Sequence, residues 1–96
     1  MRNYKNTAIE LIKESYDYYE QSSIDFEKAV FKEVYRMICD IIKHNGDDFE
    51  CSINNITIAL TSMATCLEFD KEEHLANKLD NLMKIITKIY PAPPKL

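Results

Sequence analysis

The sequence predicts an all-α domain, an up-down-up-down antiparallel four-helix bundle, and three observations carry that prediction. Breakers are scarce: there is one glycine, Gly46, and the prolines Pro91, Pro93 and Pro94 all lie in the last six residues. A β-rich chain needs Gly, Pro or Asn-Gly at many corners. Apolar residues recur at steps of three and four, the period of an amphipathic helix. That period is interrupted around Ser22, Gly46 and Asp70, which leaves four segments joined by short connections and favours antiparallel neighbours.

The first helix is expected over about Ala8–Glu20. Thr7 and Glu10 have capping-box spacing, and Ala8, Ile12, Tyr16 and Tyr19 fall on one face. Gln21-Ser22-Ser23 ends it, with Ser22 or Ser23 free to cap the next helix. The second helix, about Ile24–His44, has a stripe of Phe26, Val30, Val34, Met37 or Ile38, and Ile41, widened by Phe31 and Ile42. Lys43 and His44 suit the negative end of its dipole, and Asn45-Gly46 is a good stop.

Residues 47–51 then read as a loop. The third helix is expected over about Ser52–Leu67, from Ile53, Ile56, Leu60, Met63 or Ala64, and Leu67. The alternation of β-branched residues in Ile56-Thr57-Ile58-Ala59-Leu60 is also compatible with a strand; length and the lack of a partner strand favour helix. Asp70 and Glu73 have capping-box-like spacing at the start of the fourth helix. Leu75, Leu79, Leu82, Ile86 and Ile89 follow as a seam, and Pro91 ends it. Residues 1–90 thus form one helical domain, and Pro-Ala-Pro-Pro-Lys-Leu (91–96) is a short extended tail.

Composition narrows the function classes. Ninety-six residues suit a single core, and 46% apolar with 29% charged residues is a globular balance. No apolar run approaches the roughly 20 residues of a membrane span. The N-terminal residues lack a signal-peptide core, so a cytoplasmic location is expected and the Asn55-Ile56-Thr57 sequon is a coincidence. Cys39, Cys51 and Cys66 are odd in number and show no Cys-x-x-Cys, against a disulfide scaffold or zinc site. Cys39 and Cys66 lie in or beside apolar stripes and are expected to be buried.

A net charge of −4 argues against nucleic-acid binding, which depends on a basic surface. His44 and His74 sit in no nucleophile or general-base pattern, and there is no Gly-rich phosphate loop or Glu-x-x-His pair. The residues around His44, Asp47, Asp48, Glu50 and Cys51 match no calcium-loop pattern. No enzyme, metal or cofactor is therefore expected.

What remains is the distribution of acids. Residues 10–27 hold six acids against one lysine, and 47–73 hold seven against one. In an up-down bundle the first and third connections meet at one end. Asp17, Glu20, Asp25 and Glu27 would then lie near Glu68, Asp70, Glu72 and Glu73. Acids in helical first turns (Asp25, Glu27, Asp70, Glu72, Glu73) are explained by the dipole, whereas Asp17, Glu20 and Glu68 sit in last turns where the dipole opposes them. Tyr16 and Tyr19 share the face of Ile12 and are expected in the core. Tyr18 points about 120° away and is expected to be exposed between carboxylates. Carboxylates steer toward Lys and Arg, and Tyr rings add contact area at low entropic cost. Asp17, Tyr18, Glu20, Glu68 and Phe69 are the candidate partner-binding residues.

Tyr18-Tyr19 between Asp17 and Glu20, in a small acidic helical chain, resembles the immunity proteins of DNase colicins, four-helix proteins that use a Tyr-Tyr pair among acids. The pair here lies on the first predicted helix and no proline follows it, so the immunity proteins of contact-dependent inhibition systems are an equally good comparison. The resemblance implies a non-catalytic inhibitor whose partner is a cationic, nuclease-like protein toxin. The alternative is a homodimeric structural or regulatory adaptor, with the wide apolar stripes of the second and fourth helices packing against a second copy.

Overall fold

The computed structural model describes residues 3–69 and 72–88, and these form four helices in sequence: α1 (Tyr4–Gln21), α2 (Asp25–Asn45), α3 (Phe49–Phe69) and α4 (Glu73–Thr87). Paired residues fix the directions. Tyr16 meets Tyr35, Tyr18 meets Phe31, and Lys28 lies over Tyr19, so α2 runs back along α1. Glu10 reaches Lys88 and Tyr18 reaches Asn81, so α4 is antiparallel to α1. Consecutive helices pack as hairpins, and α1 touches α4 as well, giving the expected four-helix bundle.

The core is supplied largely by the predicted faces of the last three helices, except that Phe26, expected at the head of the α2 stripe, is 56% exposed and Phe31 is buried in its place. Phe31, Val34 and Ile38 of α2, Ile53, Ile56, Leu60 and Ala64 of α3, and Leu75, Leu79, Leu82 and Ile86 of α4 are all buried. Truncating one of the larger of these to Ala would cost about 2–5 kcal/mol. Residues 56–60 are helical, so the strand reading is not realised. Thr57 donates its hydroxyl to the Ile53 carbonyl at 2.8 Å, which satisfies the polar atom of a β-branched residue inside a helix.

Several boundaries differ from expectation for local reasons. α1 starts at Tyr4 because the Asn3 side chain accepts from the Asn6 amide at 3.0 Å; Thr7 is not the cap, and its hydroxyl donates to the Asn3 carbonyl. α2 is preceded by Ile24 without a side-chain cap, and the Ser22 hydroxyl instead donates to the Ile24 carbonyl. α3 begins at Phe49, since Asp48 accepts from the Cys51 amide at 3.0 Å and so shortens the predicted loop. Gly46 makes the α2–α3 turn possible: φ 58° and ψ −122° are readily available only to glycine. The expected Asp70 cap, the Ile89 end of the seam, the Pro91 stop and the 91–96 tail lie outside the described residues. Cys39 is half-buried and Cys66 exposed, not buried as expected.

Candidate functional site

The face that α1 turns inward decides which tyrosines reach solvent. Thr7, Ala8, Leu11 and Ser15 are its buried residues. Ser15 serves as a core residue because its hydroxyl donates to the Ile12 carbonyl at 3.0 Å, leaving no unpaired donor. Tyr18 continues this line. Its ring lies 5.1 Å from Phe31, its hydroxyl oxygen accepts from the Asn81 amide at 3.3 Å, and the Lys78 ammonium sits 5.7 Å from its centroid. Tyr18 is thus half-buried, which corrects the expectation of an exposed ring. Tyr16, expected in the core, is 44% exposed.

The inward face is rotated by about one residue from the predicted one. The steps Ala8, Leu11, Ser15, Tyr18 follow the same four-three spacing that identified α4. A serine within the line hid it.

Tyr16 sits in a row of rings on the outer side of the first hairpin. Its centroid is 6.1 Å from Tyr19 and 5.5 Å from Tyr35, both tilted pairs, and the Lys28 ammonium lies 5.2 Å from the Tyr19 centroid. Such tilted contacts hold the rings in place without burying them. A shallow groove of about 500 Å³ beside the row is lined by Ile12, Lys13, Tyr16, Asp17 and Tyr35. Asp17 also borders a second groove, between α1 and α4, with Glu10, Lys13, Glu14, Asn81, Ile85 and Lys88. Asp17 is exposed, as is Glu20.

Electrostatics tie the row to these acids. The Glu20 carboxylate hydrogen-bonds the Tyr16 phenol and repels its phenolate, so the Tyr16 pKa is raised. The Tyr35 pKa is raised as well, by charge repulsion from an ionised Cys39 first and by a hydrogen bond with that side chain second. The sequence matches no family model, and comparison with curated proteins and with solved structures returns no match.

Glu68 stands apart from this surface. It is exposed and shares a groove with Glu73, Ala76 and Asn77 between α3 and α4. Phe69 closes α3, and its side chain lies outside the described residues. The starts of α2 and α4 do meet, as Glu27 reaches His74 and Lys78. The described residues show only part of the acidic pole expected, with Glu68 and Glu73 sharing one groove. Glu27 turns inward, Asp70 lies outside the described residues, and Asp17 and Glu68 border different grooves.

Glu27 is the residue whose role the sequence hid. It is 4% exposed and pairs with the Lys78 ammonium, with His74 Nε2 3.6 Å from its other oxygen. A glutamate in a helical first turn reads as a dipole residue. Only the partner 51 positions away reveals a buried ion pair.

Proposed function

We propose that this chain is a non-catalytic binding protein that neutralises a cationic, nuclease-like bacterial toxin in the cytoplasm. The surface that does so is the outer side of the α1–α2 hairpin. The observation that supports the reading is Tyr16: a ring 44% exposed, braced by Tyr19 and Tyr35, with the Glu20 carboxylate one helical turn on raising its pKa. A braced tyrosine loses little freedom on binding and offers both an apolar face and a hydroxyl. Asp17 and Glu20 beside it supply the charge that draws in and orients a basic surface. Tyr16 takes the role that the sequence assigned to Tyr18.

The test begins with capture of the partner from the native host. Its affinity for Tyr16→Ala, Asp17→Lys and Glu20→Lys is then measured across a salt series. Each substitution should weaken binding by about tenfold or more, and the native affinity should fall as salt rises. Glu68→Lys reports whether the partner's footprint extends over the α3–α4 groove. Normal binding by all three α1 variants, or a partner with an acidic contact surface, would refute the reading.

A further inference from the structure

Helix α3 differs from its neighbours in what it shows to solvent. From Cys51 to Leu67 it carries no Asp, Glu, Lys or Arg, an uncharged length of about 25 Å at 1.5 Å per residue. The exposed surface of α2, by contrast, bears Lys32, Glu33, Arg36 and Asp40. On α3 the outward residues are Asn54, Asn55, Ile58, Thr61, Ser62, Thr65 and Cys66, and Ile58 is 66% exposed. This face runs into an apolar groove of about 280 Å³ where Val30 of α2 meets Ser62, Met63, Cys66 and Leu67.

Its threonines are less polar than their names. The Thr65 hydroxyl donates to the Thr61 carbonyl at 2.9 Å, and the Thr61 hydroxyl faces Met83 Sδ at 3.4 Å. Those donors are already engaged, so covering the face strands neither of them.

We propose that this face is a self-association surface on which two copies pair α3 against α3, antiparallel, about a two-fold axis near Ile58. Charge selects the occupant. A charged partner finds no counter-charge between Glu50 and Glu68, so the matching surface must itself be uncharged and of similar length. This chain carries such a surface. Each copy has a net charge of −4, and along α3 two copies can approach with like charges meeting only at the ends of the contact.

The geometry suits a two-fold. Ile58 lies close to the middle of Phe49–Phe69, so antiparallel pairing brings it against itself. Asn55 then faces the second copy's Thr61, and Cys51 faces its Thr65. Acids meet only at the two ends, where Asp48 and Glu50 come near the second copy's Glu68. This differs from the expected use of α2 and α4, whose stripes are largely consumed by the core. One helix face and a groove offer less than the roughly 800 Å² per partner of a standard interface, so the dimer should be weak.

Sedimentation of the full chain from about 10 µM to about 1 mM, in low and high salt, tests this. The native mass should rise toward that of a dimer with concentration, and dimerisation should strengthen with salt as the end acids are screened. Ile58→Asp sets two carboxylates together at the axis and should weaken dimerisation by about 100-fold. Ser62→Lys is a second disruption, and circular dichroism checks that both variants fold. Three results would each overturn the proposal: a native chain monomeric at the highest concentration, a dimer unaffected by both substitutions, or a dimer dispersed by salt. The α1 surface is separate, so folded Ile58→Asp should still bind the captured partner.

Discussion

Substituting Lys78 with Met should destabilise the fold more than substituting Glu27 with Leu, although both break the same ion pair. Lys78→Met leaves a carboxylate whose side chain is 5% exposed, with His74 Nε2 at 3.6 Å as its remaining partner. Removing one member of a buried pair costs about 3–5 kcal/mol. Glu27 lies in the first turn of α2, where the dipole favours an acid, so the lower end, about 3 kcal/mol, applies. Glu27→Leu leaves an ammonium on a flexible stem that is 23% exposed and already lies near the Tyr18 and Phe31 rings. That cation can turn outward to water, so the cost should be about 1–2 kcal/mol.

Replacing both residues removes both charges and should return stability to within about 1 kcal/mol of the native chain. Urea and thermal unfolding measure all four proteins, with Lys78→Met expected to lower Tm by roughly 15 °C. The reasoning fails if the single substitutions cost the same, or if their effects add in the double variant. The pair also bridges α2 and α4, the two helices whose backbones approach each other least.

Other perturbations follow from single observations. Gly46→Ala should cost about 1–3 kcal/mol in urea unfolding; nothing lies within 4 Å of an added Cβ, so the cost is backbone strain alone and a neutral result would contradict the turn geometry. Tyr16 should ionise above the ordinary phenol range in an ultraviolet titration, and Glu20→Gln should bring it back down; an unmoved titration would remove Glu20 as the cause. Because the folded value is raised, the stability linked to Tyr16 is complete below the ordinary phenol pKa and is lost as pH climbs through the raised one. Glu33 has the opposite sign: a hydrogen bond from Arg36 lowers its pKa, so its contribution is present above the ordinary carboxylate range and lost as pH falls through the lowered value. Glu33→Gln should therefore unfold earlier than the native chain at neutral pH and together with it in strong acid.

Helix number, order and most of the core were legible because the periodicity of α3 and α4 is carried by Leu and Ile at uninterrupted spacing. The inward face of α1 was not, because Ser15 occupies a core position and hydrophobic patterning passes over a serine that satisfies its own hydroxyl. That single residue exchanged the expected roles of Tyr16 and Tyr18. Glu27 was hidden for a different reason: pairing across 51 residues leaves no local trace. The early start of α1 turned on one side chain, Asn3, whose competitor Thr7 has the better-known spacing. Asp17 and Glu20 were found as exposed acids because helix-dipole reasoning needs only position along the helix and not its rotation.

The ends of the four helices bear on whether those acids are there for function. α2 closes on Lys43 and His44 and α4 on Lys84, as the dipole favours, whereas the last turns of α1 and α3 contain no base. α1 closes on Glu20 with Asp17 just before it, and α3 on Glu68. Reversing Asp17 or Glu68 to Lys should therefore raise Tm, each by about 1–5 °C. Glu20→Lys should gain less, because that carboxylate also accepts from Tyr16. If Asp17→Lys both stabilises the fold and weakens partner binding, the aspartate is kept at the expense of stability for the sake of recognition. If it stabilises the fold and leaves binding intact, Asp17 is an uncompensated surface charge, and the outer face of the first hairpin loses the acid that joins its two grooves.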